Sequence, residues 1–241
     1  MDRIPRFFVN SKDINSKIVR ITDEQVLHIL KSLRLSVGDE IIIFDGESKK
    51  FRANLSQVTK RQVEIEKIES LPINDSETKI TLVQGIPKAK KMDMIVKRLT
   101  EIGISEIIPI ETDYSVLKAK DIKKKYARWQ KIIIEACKQS ERDVFLKIHE
   151  PISFSDLETV GEYDLKLIAS TKEDPQDLKD VLKKNSAKSI IYMVGPEGGF
   201  TPNEIVQAQE NGFTQIRFGS NIMRSETAAI FLGSVIKYEL G

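Results

Sequence analysis

The sequence predicts an α/β chain in two parts, a small N-terminal β-barrel with one helix and a larger domain built on a mainly parallel sheet. Three observations lead there. Short β-type apolar runs fill the first 70 residues. A polar, proline-bearing stretch without periodicity follows, Leu71-Pro72-Ile73-Asn74-Asp75-Ser76-Glu77. After it, apolar runs of strand length alternate regularly with amphipathic stretches of helix length, the pattern of a parallel sheet covered by helices on both faces. The domain boundary is set at residues 72/73.

In the first part, Glu40-Ile41-Ile42-Ile43-Phe44 is an apolar run ended by Asp45-Gly46, a turn pair favoured because glycine tolerates positive φ. Phe51, Ala53 and Leu55 then alternate with polar residues, and Val63, Ile65 and Ile68 continue after Lys60-Arg61-Gln62. One helix interrupts the strands. Thr22 with Gln25 reads as its capping box, and Val26, Leu27, Leu30 and Leu33 form its apolar stripe.

In the second part the expected strands are Ile80–Val83, Ile107–Ile110, Leu165–Ala169, Ile190–Val194 and Gln215–Phe218. Helices are expected near Lys90–Ile102, Ile122–Gln139, Pro175–Lys184, Pro202–Asn211 and Glu226–Glu239. Thr201 reads as an N-cap, Pro202 sits at the first helical position and Glu204 completes a capping box. Neither an internal repeat nor a low-complexity tract is visible.

Composition narrows the function. The 241 residues are 40% hydrophobic, enough for a packed core, and 31% charged. With 38 basic and 36 acidic side chains the formal net charge is +2, so nucleic-acid contact has to rest on local patches. Such patches exist at Lys88-Lys90-Lys91, Lys97-Arg98, Lys118-Lys120 and Lys123-Lys124-Lys125 with Arg128, although a solvated helix face reads the same way. The single cysteine, Cys137, rules out an intrachain disulfide or a cysteine zinc cluster, and falls in a helical pattern as a small core residue. With only His28 and His149, no histidine metal site can be assembled, and no metal is expected. No apolar run reaches the ~18 residues of a membrane span, and the N-terminus lacks a signal-type apolar region. The expectation is a soluble, cytoplasmic protein.

The chemistry concentrates in two late loops, Gly195-Pro196-Glu197-Gly198-Gly199-Phe200 and Phe218-Gly219-Ser220-Asn221-Ile222-Met223-Arg224-Ser225-Glu226-Thr227-Ala228-Ala229. Each joins the C-terminal end of a strand to a helix N-terminus, where sheets of this class bind ligands. Gly198 and Gly199 would let a ligand approach the backbone, or would simply make a tight turn. Glu197 reads as a solvated carboxylate or a ligand contact. Ser225 is positioned to cap the last helix, with Glu226 at its positive end. Phe231, Val235 and Tyr238 share one face of that helix, for its own sheet or for a dimer partner. A dinucleotide fold would want Gly-x-Gly-x-x-Gly after its first strand, but that junction is Gln84-Gly85-Ile86-Pro87-Lys88. A Walker-type Gly-Lys-Ser/Thr is also missing, so nucleotide-dependent reduction and nucleoside triphosphate hydrolysis are both disfavoured.

At these residues the chain resembles the ribosomal small-subunit RNA uridine-N3 methyltransferases, members of the SPOUT (trefoil-knot) methyltransferases. Gly195–Phe200 is similar to that family's strand-end motif, and Phe218-Gly219 through Ile222-Met223-Arg224-Ser225-Glu226-Thr227-Ala228 to its Leu-Gly-x-x-Ile-Leu-Arg-x-Glu-Thr-Ala motif. Lys97 through Glu101-Ile102-Gly103-Ile104 with Pro109, and Arg128-Trp129 through Glu135-Ala136 to Gln139-Ser140 and Arg142, agree more weakly. At the front, His28-Ile29-Leu30 with Leu33-Arg34 is similar to the helix of the family's PUA-like RNA-binding domain. Phe218 and Met223 replace leucines by apolar residues, and Asn221 stands where the family often has a basic residue.

The resemblance implies a PUA-like barrel over 1–72, a knotted SPOUT domain over 73–241, a homodimer and S-adenosyl-L-methionine as cofactor. By carry-over, Gly195, Glu197, Gly198 and Gly199 line the cofactor site, with Phe218, Gly219, Ile222 and Met223 closing over adenine and methionine. Arg224 would stabilise charge on a uracil oxygen, and Glu226 would orient the base or take its proton. Arg3, Arg6 and Arg34 of the barrel, extended by Arg128 and Arg142, would grip 16S ribosomal RNA or the small subunit. Two alternatives remain at this point, a non-catalytic RNA-binding module and a methyltransferase of the same fold acting on transfer RNA.

Overall fold

The computed structural model describes residues 4–22, 26, 28–170 and 175–241. Arg3, together with Gln25 and Leu27 of the expected capping box and stripe, lies outside them. The chain divides into two compact units, Met1–Asp75 with Cys137–Phe145, and Ser76–Ala136 with Leu146–Gly241.

The first unit is a curled five-stranded sheet of β1 (Arg6–Phe8), β2 (Ile18–Thr22), β3 (Glu40–Phe44), β4 (Lys50–Val58) and β5 (Gln62–Ser70), in the order β1-β3-β4-β5-β2. All neighbours are antiparallel except β1, which runs parallel to β3. The alternation read from the sequence is what builds its core: Ile41, Ile43, Ala53, Leu55, Val63 and Ile65 all point inward and are fully buried. Register shifts in the β4–β5 pair, at Arg52/Ala53 and Leu55/Gln57, bend the sheet towards closure. The Asp45-Gly46 turn is held by the Asp45 carboxylate, which accepts the amides of Glu47, Ser48 and Lys49 at 2.9–3.0 Å. The expected helix is a six-residue π-type turn, His28–Leu33, stopped where Arg34 takes φ 55° and Leu35 N–H donates to Ile29 O.

Residues 137–145 bring a buried carboxylate to this unit. Asp143 accepts Arg6 Nη2 at 2.7 Å, Lys50 Nζ at 2.5 Å and Asn74 N–H at 2.8 Å. Burial opposes its ionisation, but the bonds from Lys50 and Arg6 outweigh that and hold its pKa below the usual carboxylate value. Arg6, expected on the RNA-gripping surface, is therefore turned inward; its guanidinium sits on Asp143 and 4.8 Å over the Phe44 ring. Cys137 is a buried core thiol, pushed up to about 11 by desolvation.

The second unit is an eight-stranded, all-parallel sheet. Its strands are β6 (Lys79–Gly85), β7 (Glu106–Glu111), β8 (Lys147–Ile148), β9 (Ile152–Ser153), β10 (Leu165–Ala169), β11 (Gln176–Asp177), β12 (Ser189–Val194) and β13 (Thr214–Arg217). The order is β11-β13-β10-β12-β6-β7-β8, with β9 also on β7. The helices are α1 (Ala89–Ile102), α2 (Ala119–Lys123), α3 (Tyr126–Ser140), α4 (Leu178–Lys183), α5 (Pro202–Glu210) and α6 (Ser225–Leu240), with a 3₁₀ segment over Phe154–Val160. The single helix expected over Ile122–Gln139 is thus two. The helix expected from Pro175 starts only at Leu178, where Asp177 caps it by accepting Lys179 N–H, while Gln176 and Asp177 pair with β13. β12 lies mid-sheet, and Ile190 to Val194 are buried on both faces, hence the unbroken apolar run. α6 buries Ala228, Ala229, Leu232, Gly233 and Ile236 and leaves Phe231 and Tyr238 exposed. Among the described residues no helix is long and apolar enough to cross a membrane.

Candidate active site

The strand order sets β6 beside β12, so two junctions more than 100 residues apart in sequence meet at one edge of the sheet. A Cβ on Gly85 would stand 2.4 Å from Pro196 Cδ, a close approach that only glycine permits. Gln84 binds the arrangement together. Its Nε2 lies 2.9 Å from Gly85 O, 3.2 Å from Val194 O, 3.3 Å from Gly195 O and 3.1 Å from Ser225 Oγ. Ser225 does not cap α6 as expected, since Arg224 is the N-cap; its hydroxyl donates instead to Gly195 O at 2.5 Å. The Gly195–Phe200 loop and the start of α6 are thereby joined by a direct hydrogen bond.

Part of the glycine pattern is explained by the turn itself. Gly199 has φ 72° and donates to Pro196 O, and a Cβ on Gly195 would press on Gly199 at 2.9 Å. Gly198 faces Tyr114, whose Cβ lies 2.8 Å from where an added methyl would fall. Beyond the turn, Thr201 and Glu204 form the expected capping box, and Glu204 Oε1 also accepts Asp113 N–H at 2.9 Å. That bond ties the loop after β7 to the start of α5. At the second loop, Phe218 stacks on Phe231 at 5.7 Å, Gly219 has φ 72° with open space around it, Met223 is half-buried and Ile222 is 85% exposed.

The charged residues meet at one point. Lys91 Nζ lies 3.1 Å from Glu197 Oε1 and 3.0 Å from Glu226 Oε2. That Glu226 oxygen is buried and, apart from this ion pair, has no partner among the described residues. The Lys91 pKa is raised, first by Glu226 and then by Glu197, against desolvation. Glu197 is held below its usual value although burial opposes ionisation, because its own amide, Lys91 and Lys88 N–H all favour the anion. Arg224 is exposed, and its guanidinium makes no ion pair or hydrogen bond among the described residues.

The structure thus brings together Gly195, Glu197, Gly198, Gly199 and Glu226, with Arg224 one residue from the Ser225 bond. Phe218, Gly219, Ile222 and Met223 lie on the neighbouring loop, and Ile222 covers nothing there. Sequence reasoning missed Gln84, and placed Lys91 only in a surface patch. A polar residue ending a buried apolar run was the available signal for Gln84. Of the expected RNA contacts, Arg34 is exposed, Arg128 is 68% exposed with Asp93 at 2.7 Å, and Arg142 is half-buried with a pKa lowered by desolvation. Among the described residues no cluster of three or more metal-ligating side chains occurs.

Comparison with known proteins gives this geometry a lineage. Residues 74–237 match an RNA methyltransferase domain, and residues 21–68 an RNA methyltransferase PUA domain. Ribosomal RNA small subunit methyltransferase E of Mesomycoplasma hyopneumoniae (strain 232) is 34% identical over 229 residues, 94% of this chain and 96% of the relative. Its namesake in Bacillus subtilis (strain 168) is 32% identical over 235 residues, 91% of this chain and 89% of the relative. A crystal structure of the Neisseria gonorrhoeae protein of that name, bound to S-adenosyl methionine, superposes with a TM-score of 0.86 at 31% identity, covering 98% of each chain. With both parts of the chain matched in order, and the parallel sheet and PUA-like half-barrel in place, the chain belongs to the ribosomal RNA small subunit methyltransferase E family of SPOUT methyltransferases.

Proposed function

We propose that this protein transfers the methyl group of S-adenosyl-L-methionine to N3 of a specific uridine in 16S ribosomal RNA. The observation that carries the reading is the meeting of two late strand-end junctions around a charged cluster, with Arg224, which has no partner among the described residues, at the N-cap of the same helix. The residues fit the cofactor. Phe218, Met223 and the exposed Ile222 offer apolar surface for an adenine ring and a methionine chain, and the carboxylates favour a sulfonium cation. The bound cofactor supplies an electrophilic methyl group; the protein supplies position and charge.

Uridine N3 carries a proton that has to leave as the N–C bond forms. Glu226 accepts it: the side chain is buried, its charge is balanced by Lys91, and Oε2 keeps a free lone pair. The N3–H electron pair becomes the new N–C bond while the sulfonium S–C bond breaks. Arg224 neutralises the charge that develops on a uracil carbonyl oxygen, a role suited to a cation that has no protein partner among the described residues. Gly195, Glu197, Gly198, Gly199 and Gly219 complete the cofactor cradle.

The barrel over 1–72 grips structured RNA through phosphates and shape, with Arg34 and, later in the sequence, Arg128 and Arg142; Arg3 is assigned with them. Arg6 is excluded by its pairing with Asp143. The domain over 73–241 is knotted, a reading supported by the SPOUT lineage. The exposed Phe231 and Tyr238, with Val235, seal a homodimer. Action in the cytoplasm follows from a small-subunit substrate.

Mass mapping of methylated nucleosides tests this, using small subunits, free 16S RNA and transfer RNA incubated with protein and labelled cofactor. One N3-methyluridine in small-subunit RNA is expected. Methylation at a ribose, at another ring atom or only in transfer RNA overturns the assignment.

A further inference from the structure

We propose that Lys91 is a positioning residue for methyl transfer, an ammonium clasp that pins the carboxylates of two separate strand-end junctions and so fixes the width of the cofactor cleft. The proposal rests on the methyl-transfer reading above and gives a positioning role to a residue that the sequence placed only in a surface patch.

The local chemistry of α1 gives no reason for a lysine at this position. Lys91 lies in the first turn, where the helix dipole disfavours a cation, and that turn holds no acidic residue to offset it. Lys88 at the N-cap makes no side-chain capping bond either. The compensation comes from elsewhere in the chain. Glu197, more than 100 residues on, stands at the start of α1 and accepts Lys88 N–H at 3.3 Å while binding Lys91 Nζ at 3.1 Å. Glu226, in the first turn of α6, meets the same ammonium at 3.0 Å. Each carboxylate therefore sits at a helix N-terminus that favours its charge, and one cation joins them.

Without the ammonium, two anions would face each other across the cleft, and their repulsion would drive the loops apart. A misplacement on the order of 1 Å is enough to cost ~100-fold in a positioned reaction. Lys91 is only 28% exposed and its charge is reinforced from both sides, so the clasp is less screened than a surface ion pair. Gln84 and Ser225 hold the same loops by hydrogen bonds to Gly195. Those bonds act on the backbone; the Lys91 clasp acts on the side chains that face the reactants.

Calorimetry of the full chain with S-adenosyl-L-methionine tests this in wild type, Lys91→Met, Lys91→Arg, Glu197→Gln and Lys91→Met/Glu197→Gln, beside thermal melts and steady-state rates on 16S RNA. Lys91→Met is expected to weaken cofactor binding ~10-fold or more and to lower kcat by more than it raises KM for RNA, on the scale of positioning effects. Its melting temperature should fall by a few degrees, because the buried Glu226 carboxylate loses its counter-ion, so binding and rates are compared well below it. Lys91→Arg should recover most of the loss. In the double variant the two substitutions should be non-additive, because the first has already broken the contact that the second removes. Equal cofactor affinity in wild type and Lys91→Met overturns the clasp and leaves the methyl-transfer reading intact. A loss that Lys91→Arg fails to restore, or that follows melting temperature alone, overturns it too. Absence of binding by wild type removes both proposals. If Lys91→Met does not fold, Lys91→Gln replaces it in the same comparison.

Discussion

Arg224 and Glu226 stand two residues apart, yet one is exposed without a partner among the described residues and the other is buried against a lysine. That contrast is what a site needs when a cation is reserved for substrate and an anion is held in place. The Arg224 side chain contributes no capping bond to α6, so Arg224→Ala should leave the helix intact. Single-turnover rates on 16S RNA should fall roughly 100- to 1000-fold, as when a charge-stabilising donor is removed, with cofactor affinity nearly unchanged. Equal single-turnover rates would remove Arg224 from the chemistry. Gly198→Ala should act differently: the new methyl would fall 2.8 Å from Tyr114 Cβ, so the loop has to move, and calorimetry should show weaker cofactor binding. At this scale the glycine loops were legible because their constraints are local, as in the turn from Pro196 to Gly199. The roles of Lys91 and Gln84 were not, because each depends on partners more than 100 residues away.

Among the elements, the five strands with long buried apolar runs could be read almost residue by residue; Leu165–Ala169 has the same bounds in both views. β8, β9 and β11 have two residues each and carry no period to detect. β1, at three residues, is scarcely longer. The break between α2 and α3 was hidden because Lys123-Lys124-Lys125 contains neither glycine nor proline. A pH prediction belongs to β7. Glu106, its first residue, accepts from His149 at 2.9 Å and pairs with Lys79 at 3.0 Å. His149 first, and Lys79 after it, hold the carboxylate down to about 2 against partial burial. A folded pKa below the ordinary value of 4.5 stabilises the fold above that pH, and the contribution is lost as pH falls towards about 2. Urea melts of wild type and Glu106→Gln should therefore differ by about 1–2 kcal/mol at pH 6, with the gap closing between pH ~4.5 and ~2. A gap that stays constant with pH would show that the pair contributes nothing through ionisation.

For the whole molecule, the least legible feature was the allegiance of residues 137–145, which continue a helical pattern in sequence but complete the first unit. Their buried Asp143 also decides which arginines remain for RNA. A formal net charge of +2 leaves little average field, and at physiological salt charges act over only about 8 Å, so binding has to come from cations at the contact itself. Affinity for 16S RNA should then fall steeply with salt, log K declining against log salt by roughly 0.7–0.9 per phosphate neutralised. Arg34→Ala should flatten that slope by about one contact's worth and leave the melting temperature alone, since Arg34 is exposed. Arg6→Ala should do the reverse. Removing a partner of a fully buried carboxylate costs about 3–5 kcal/mol, partly offset here because Lys50 and Asn74 N–H remain on Asp143. Its melting temperature should drop by several degrees, while the salt slope of the folded protein stays that of wild type. If Arg6→Ala flattened the slope and left stability untouched, the Asp143 pair would not be what holds that arginine, and the division between structural and RNA-facing arginines would fail.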